Sequence, residues 1–312
     1  LCRCCTLYFE KEELISKIKN VSILGIRSKT YISKKVIDSA DRLLSIGAFC
    51  IGTNQINLEE CEKAGITVFN APYSNTRSVV EIVIGQIINL MRCIVEKSND
   101  LHEGTWRKDS IHSYEIRNKI IGIIGYGNIG SQLSVICESL GMRVIYYDIT
   151  DKLSIGNAKK HETLESLLKV SDIISLHVDG RVENTNMIGK REIELMKKNS
   201  ILINYSRGNI VDIKALKENL MNNKLMGAAI DVFPKEPLNN KEKFESSLRG
   251  IKNLILSPHI GGSTKEAQKN IGSYVPYKII DFVNTGNTSN CVNFPELSLP
   301  EQKDSHRLIH IH

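Results

Sequence analysis

The sequence predicts an α/β protein made of two Rossmann-like, doubly wound parallel-sheet domains, one inserted into the other. Three observations carry this reading. Short apolar runs ending in polar or glycine-containing loops alternate with helical patterns from Val21 to Val283. One such run, Lys119 to Ile124, enters Gly125-Tyr126-Gly127-Asn128-Ile129-Gly130, a G-x-G-x-x-G turn at the head of a helix. A second strand, Met142 to Tyr147, then ends in Asp148, 18 residues beyond Gly130.

Taken in order, Val21 to Ile26, Arg42 to Gly47 and Ile66 to Asn70 read as short strands separated by helical stretches at Ser33 to Ala40 and Leu58 to Ala64. Ser74-Asn75-Thr76 then supplies a polar cap for one long helix, predicted from Thr76 to Gly104, whose apolar face runs through Val80, Ile84, Ile87 and Met91. The glycine-turn strand follows, and after it Val144 to Tyr147, Ile173 to Val178, Ile201 to Asn204, Ala228 to Val232 and Leu254 to Leu256 make six strands, enough for one doubly wound domain. A last helix, Thr264 to Val283, returns the chain to the first unit. The expected division is therefore 1–74 with 263–303 as a discontinuous domain around an inserted domain at 75–262.

Each part of the glycine turn has a physical task. Gly125 permits the tight turn, Gly127 lets a pyrophosphate approach the backbone, and Gly130 lets the helix pack closely on its strand, so that the helix N-terminus faces the phosphates. Asn128 and Ile129 lie in the same turn. Asp148 is placed to accept hydrogen bonds from the adenosine ribose, and its charge repels a 2′-phosphate. NAD is thus the expected cofactor.

Composition narrows the partners. Hydrophobic residues make up 41% of the 312, and a formal charge of +6 arises from 41 basic and 35 acidic residues that are interspersed. No basic block of the kind that grips nucleic acid is present, and the mild excess fits anionic small molecules. The most apolar stretch, Val79 to Met91, is broken by Glu81 and Gln86 and reads as a core helix, so no membrane association is expected. Of eight cysteines, Cys50, Cys61, Cys93, Cys137 and Cys291 are scattered without metal-ligand spacing, and Cys2, Cys4 and Cys5 cluster at the start without a completing pair. We read them as reduced thiols of a cytoplasmic protein that uses no metal.

Ligands of open α/β sheets sit beyond the carboxyl ends of the strands, so polar residues directly after strands are the first candidates for chemistry. Arg207, Asp231, Glu236 and His259 qualify. A histidine is matched to moving a proton near neutral pH, a carboxylate beside it fixes the ring, and an arginine can clamp a substrate carboxylate through two parallel hydrogen bonds. With a nicotinamide, Arg207, His259 and Glu236 suffice to oxidise a 2-hydroxy acid. His102, His112, His161 and His177 lack such partners and read as structural or surface residues, with His177 at a strand end expected to border the cofactor site.

At these residues the chain resembles the D-isomer-specific 2-hydroxyacid dehydrogenases, and within them the branch acting on a phosphorylated substrate. The resemblance runs through Gly25-Ile26-Arg27-Ser28, Ile46-Gly47 to Gln55, Phe69 to Val79, Gly122 to Gly130, Asp231 to Pro234 and Ser257 to Ser263, covering nearly all of residues 21–300. It implies that Arg207, Glu236 and His259 are catalytic. It also implies that Asn128, Ile129, Asp148, Tyr205, Ser206, Asp231, Ile260, Gly261 and Gly262 contact NAD. Arg27, Ser28 and Asn75 would line the substrate pocket, and Lys108 would reach the site of a neighbouring subunit in a homo-oligomer joined through the NAD domain. The implied reaction converts 3-phospho-D-glycerate and NAD to 3-phosphooxypyruvate and NADH, with 2-hydroxyglutarate as a second substrate. Another D-2-hydroxyacid dehydrogenase, or an NADH-sensing scaffold without turnover, is the alternative.

Three departures from the family stand out. Tyr205 replaces a small residue, and its ring is expected to crowd the nicotinamide side. Asp179 replaces a proline after Leu176-His177-Val178, which is expected to loosen that turn. The third concerns the ends: a strand-turn unit before Val21 is expected to be missing or replaced by residues 1–11, and residues 304–312 read as the opening of a serine-sensing ACT domain, so serine inhibition is expected to be absent from this chain.

Overall fold

The computed structural model describes residues 11–237 and 239–298. The N-terminal cysteine cluster, the segment 1–10 and the ACT-like residues 304–312 fall outside them. The described chain separates into two compact units, one formed by residues through Asn75 together with those from Lys265, the other by Thr76–Thr264.

The first unit opens with helix α1 (Lys11–Ile18), which the sequence reading did not anticipate. Leu14 and Ile18 lie one turn apart and are buried, which is the reason the segment holds as a helix. Then come β1 (Ile23–Ile26), α2 (Lys34–Asp38), β2 (Ser45–Ala48), α3 (Leu58–Lys63) and β3 (Thr67–Phe69). The strands are parallel and ordered β1-β2-β3. Among the described residues this sheet therefore winds in one direction only and supplies half of the doubly wound arrangement predicted for it. Alternation along β2 builds both faces: Ile46 and Ala48 join Val36, Ile37 and Cys61 in one core. Gly47 points the other way, where a Cβ would lie 2.7 Å from Val275 and Ile279 of the closing helix α10 (Lys265–Thr285).

The second unit begins with α4 (Thr76–Arg92), buried along Val79, Val80, Val83, Ile87, Leu90 and Met91. The predicted continuation to Gly104 is broken. Cys93 takes the left-handed conformation (φ 51°), its amide bonds the Leu90 carbonyl at 3.3 Å, and α5 (Ile94–His102) leaves at 66°. None of α5 is buried, so no packing holds it in line with α4. No single described helix is long and apolar enough to cross a membrane.

Next follow β4 (Ile120–Ile124), α6 (Asn128–Ser139), β5 (Arg143–Tyr147), β6 (Lys159–Lys160), α7 (Leu164–Val170), β7 (Ile173–Leu176), α8 (Lys190–Leu195), β8 (Ser200–Asn204), α9 (Ile213–Met221), β9 (Leu225–Ile230) and β10 (Leu254–Leu256). The sheet has seven parallel strands in the order β10-β9-β8-β7-β4-β5-β6, one more than the six predicted. The extra strand, β6, is a two-residue lysine edge that lacks the apolar signature of the others and is too charged to invite further pairing. Strand order reverses between β4 and β7, which opens a crevice at their carboxyl ends where such sheets bind ligands.

Candidate active site

The glycine turn sits at that crevice. Gly125 has φ +91°, and a Cβ there would lie 2.5 Å from the His177 carbonyl oxygen at the end of β7. A Cβ on Gly130 would come within 2.2 Å of the Gly125 carbonyl oxygen, so close approach of α6 to the turn requires glycine. Gly127, the N-cap of α6, brings no capping side chain, and a Cβ on it would meet nothing within 4 Å. The space beside Gly127 is therefore open at the positive end of α6, an arrangement that fits a pyrophosphate.

Asp148 receives the Tyr126 amide at 2.8 Å on one oxygen and the Thr150 amide and hydroxyl at 2.9 and 2.8 Å on the other. Partial burial pushes its pKa up, but the bonds from Thr150 and Tyr126 and the charge of Lys152 outweigh that and hold the carboxyl below its usual range. It stays an anion at the end of β5, which fits NAD and opposes a 2′-phosphate. Tyr126 also stacks on Tyr146 at 3.8 Å, and the two hydroxyls tie the turn to Ser134, Lys152 and Ser154.

Arg207 follows β8 and is half-buried, with one guanidinium nitrogen donating to the Ser206 carbonyl at 2.7 Å and the remaining donors available to a carboxylate. His259 follows β10 in the left-handed region (φ 53°). Its Nδ1 meets both oxygens of Glu236, at 2.8 and 3.1 Å, while Glu236 is steadied by the Phe233 amide at 3.1 Å. A carboxylate only accepts, so Nδ1 carries the hydrogen and Nε2 keeps its lone pair for a substrate proton. The hydrogen bond that Nδ1 donates to Glu236 raises the His259 pKa; desolvation and the Arg207 charge work against it, and the charges of Glu236 and Asp231 add to it.

Strain at His259 is held by its surroundings. Its amide bonds the carbonyls of Asp231 and Ser257, and the amides of Ile260 and Gly261 donate to the two carboxylate oxygens of Asp231 at 2.9 and 2.8 Å. Asp231 is only 1% exposed, and these bonds turn its carboxylate toward the His259 loop.

Two expectations need correction. Tyr205 does not crowd the crevice: at 6% exposure its ring is part of the core beside Val79 and Val83, because the apolar face of α4 offers it a site and Ser257 takes its hydroxyl at 3.0 Å. Asp179 does not loosen its turn either. It pairs with the Arg181 guanidinium and accepts the Arg181 amide at 3.2 Å and the Asn184 amide nitrogen at 3.1 Å, and Arg181 lowers its pKa. The carboxylate organises the bend that a proline would have fixed. His177 is structural on its side-chain end, with Nε2 on Ser175 at 2.8 Å and burial pushing its pKa down to about 3.

Arg27 and Ser28 lie exposed directly after β1, and Arg27 bonds Gln268 of α10 at 3.2 Å. Asn75 precedes α4, also in the first unit, and Lys108 is exposed in the second. Two residues given no role from sequence prove central. Asn204 ends β8 and accepts the Ser206 amide and hydroxyl at 3.1 and 2.9 Å while donating to the Arg207 carbonyl at 3.0 Å, and thus shapes the turn that presents Arg207. Ser257 follows β10 and donates to Asp231 at 2.5 Å. Both are polar residues at strand ends, the signal that singled out Arg207 and His259. Among the described residues no group of histidines, cysteines and acids is arranged to hold a metal.

Comparison with known proteins agrees with this geometry. Residues 84–261 match the family described as D-isomer specific 2-hydroxyacid dehydrogenase, NAD binding domain. The D-3-phosphoglycerate dehydrogenase of Haemophilus influenzae is 50% identical over 309 residues, covering 98% of this chain and 75% of its own. That of Dictyostelium discoideum is 48% identical over 302 residues, covering 97% and 74%. Among solved structures, the D-lactate dehydrogenase from Aquifex aeolicus, complexed with NAD and lactic acid, superposes with a TM-score of 0.80 at 27% identity, covering 90% of each chain. The NAD-type crevice, the Arg207, Glu236 and His259 set at its strand ends and these similarities agree: the chain belongs to the D-isomer-specific 2-hydroxyacid dehydrogenases, in the phosphoglycerate dehydrogenase branch of that family.

Proposed function

We propose that the protein catalyses the reversible, NAD-dependent oxidation of 3-phospho-D-glycerate to 3-phosphooxypyruvate, the entry to L-serine by the phosphorylated route, with 2-hydroxyglutarate as a second substrate. The observation that carries the reading is the Glu236–His259 pair, at 2.8 Å, in the same unit as Arg207 and the glycine turn. Arg207 holds the substrate carboxylate with the guanidinium donors that Ser206 leaves free. Nε2 of His259 takes the proton of the C2 hydroxyl, and Glu236 stabilises the imidazolium that results. NAD, when bound across Gly125 to Gly130 with Asp148 at its adenosine ribose, supplies the acceptor for the C2 hydride. Asn128, Ile129, Ser206, Ile260, Gly261 and Gly262 line its path. Arg27, Ser28 and Asn75 are assigned to the phosphate end of the substrate.

The protein is further proposed to be a cytoplasmic homo-oligomer. Helix α5 and the segment after it leave Ile94, Val95, Leu101, Trp106 and Ile111 exposed, an apolar patch that fits a contact with a second copy, and Lys108 beside Trp106 would reach that copy's site. Purified protein given NAD and 3-phosphoglycerate at alkaline pH should generate NADH absorbance, more slowly with D-lactate and with NADP. Binding of both ligands without NADH formation would reject the reading in favour of a sensing scaffold.

A further inference from the structure

The catalytic loop is connected to the buried tyrosine at the end of β8 by a chain of hydrogen bonds with a single direction. Asp231 receives the Ser257 hydroxyl and the Ile260 amide on one oxygen and the Gly261 amide on the other. A carboxylate with three donors converging on it is an acceptor, so the single Ser257 proton is committed to Asp231. The Tyr205 hydroxyl, 3.0 Å from Ser257 Oγ, must then be the donor to it. Protons thus point one way, from Tyr205 through Ser257 to Asp231.

The far end of this chain carries the strained residue. The backbone of Asp231 accepts the His259 amide at 2.8 Å, and its carboxylate fixes the two residues that follow. A non-glycine residue at positive φ persists only where its surroundings over-determine it. We propose that Tyr205 and Ser257 are positioning residues for hydride transfer, a relay that anchors the His259 loop to the buried ring at the end of β8 and keeps the imidazole in its productive geometry. Tyr205 is then the donor that fixes Ser257 on Asp231. The relay acts through His259, so the inference rests on the function proposed above. The charged groups around His259 are Glu236, Asp231 and Arg207, and the relay touches only Asp231 among them.

The test uses the full chain with Tyr205→Phe, Ser257→Ala, Ser257→Thr and the double variant Tyr205→Phe with Ser257→Ala. Turnover is divided by sites titrated with NADH fluorescence, so that loss of folded protein does not enter. Tyr205→Phe keeps the ring in the core and should lower kcat about fivefold, the equivalent of one hydrogen bond, with KM for both substrates within about twofold. Ser257→Ala should lower kcat at least as much, Ser257→Thr should restore it, and the double variant should be no slower than Ser257→Ala, because breaking one chain twice costs no more than breaking it once. A wild-type kcat in Tyr205→Phe, a failure of threonine to rescue, or losses that multiply in the double variant would overturn the relay. His259→Ala separates the two readings. If it abolishes turnover while Tyr205→Phe is normal, only the relay fails; if it turns over normally, the assignment of His259 fails with it.

Discussion

Glu236 meets one nitrogen of His259 with both of its oxygens, and the sign of its effect on pH dependence follows directly. Its hydrogen bond raises the histidine pKa, so the unprotonated imidazole needed to accept a proton accumulates only above that raised value. Oxidation should therefore rise with pH through it. Glu236→Gln removes the anion, lets the pKa fall toward the ordinary value of about 6.5, and weakens support for the imidazolium. The rising, acidic limb of the kcat/KM profile should move to lower pH while its plateau drops roughly ten- to a hundredfold; an unmoved limb would show that Glu236 does not set the titration. Asp148 offers a second test. Its charge is held on by the Thr150 and Tyr126 bonds, so Asp148→Ala should lose about tenfold or more in the preference for NAD over NADP, as expected for one charge-assisted hydrogen bond. Equal discrimination in a competition between the two cofactors would rule that role out. Arg207, Glu236 and His259 were legible because each stands just beyond a strand and its side-chain chemistry is unambiguous. Asn204 and Ser257 stand in the same places and were missed, since an amide or hydroxyl is common in any turn and only the position of its partner gives it meaning. Tyr205 was misjudged for a related reason: the sequence shows a bulky ring but not the apolar face of α4 that receives it.

At the scale of elements, α6 is held against β4 by a contact that admits no methyl group. With a Cβ 2.2 Å from the Gly125 carbonyl, Gly130→Ala must push the helix away from the turn, a strain of about 1–3 kcal/mol. The displacement falls on the same amides that face the cofactor, so NADH affinity should drop further than the melting temperature alone indicates. Parallel titration and thermal unfolding would check this, and an alanine variant with unchanged NADH binding would show that the close contact does not position the turn. The long apolar strands were readable because a parallel sheet buries both faces and leaves near-continuous Ile, Val and Leu. The break at Cys93 was not, since a single left-handed residue carries no periodic signal, and β6 was not, since two lysines become a strand only by pairing with β5. Helix α1 escaped because its buried face amounts to Leu14 and Ile18 within a charged segment.

For the whole molecule the unresolved balance lies on the surface of α5 and the segment that follows. Trp106 is 77% exposed, Ile111 66% and Leu101 55%, while charged residues around them pair locally: Arg107 with Asp100, and Lys97 with Ser113 and the Asp109 carbonyl. Those bonds hold the segment in one conformation without covering its apolar side chains, as expected for a preformed contact with another copy. A charge there would have to be desolvated on association, and that penalty, several kcal/mol per ion, exceeds what a rim contact returns. Leu101→Glu combined with Trp106→Glu should therefore shift the sedimenting species to the mass of one chain, with little change in melting at low protein concentration because neither side chain is part of a core. If Lys108 serves a neighbouring copy's site, the separated chains should show a raised KM for 3-phosphoglycerate and an almost unchanged affinity for NADH, whose proposed binding residues all belong to one chain. Lys108→Ala in the intact assembly should reproduce the KM effect without the change in mass. A double glutamate variant that keeps its mass would exclude this face as the contact, and one that separates with its KM unchanged would confine Lys108 to the surface of its own chain.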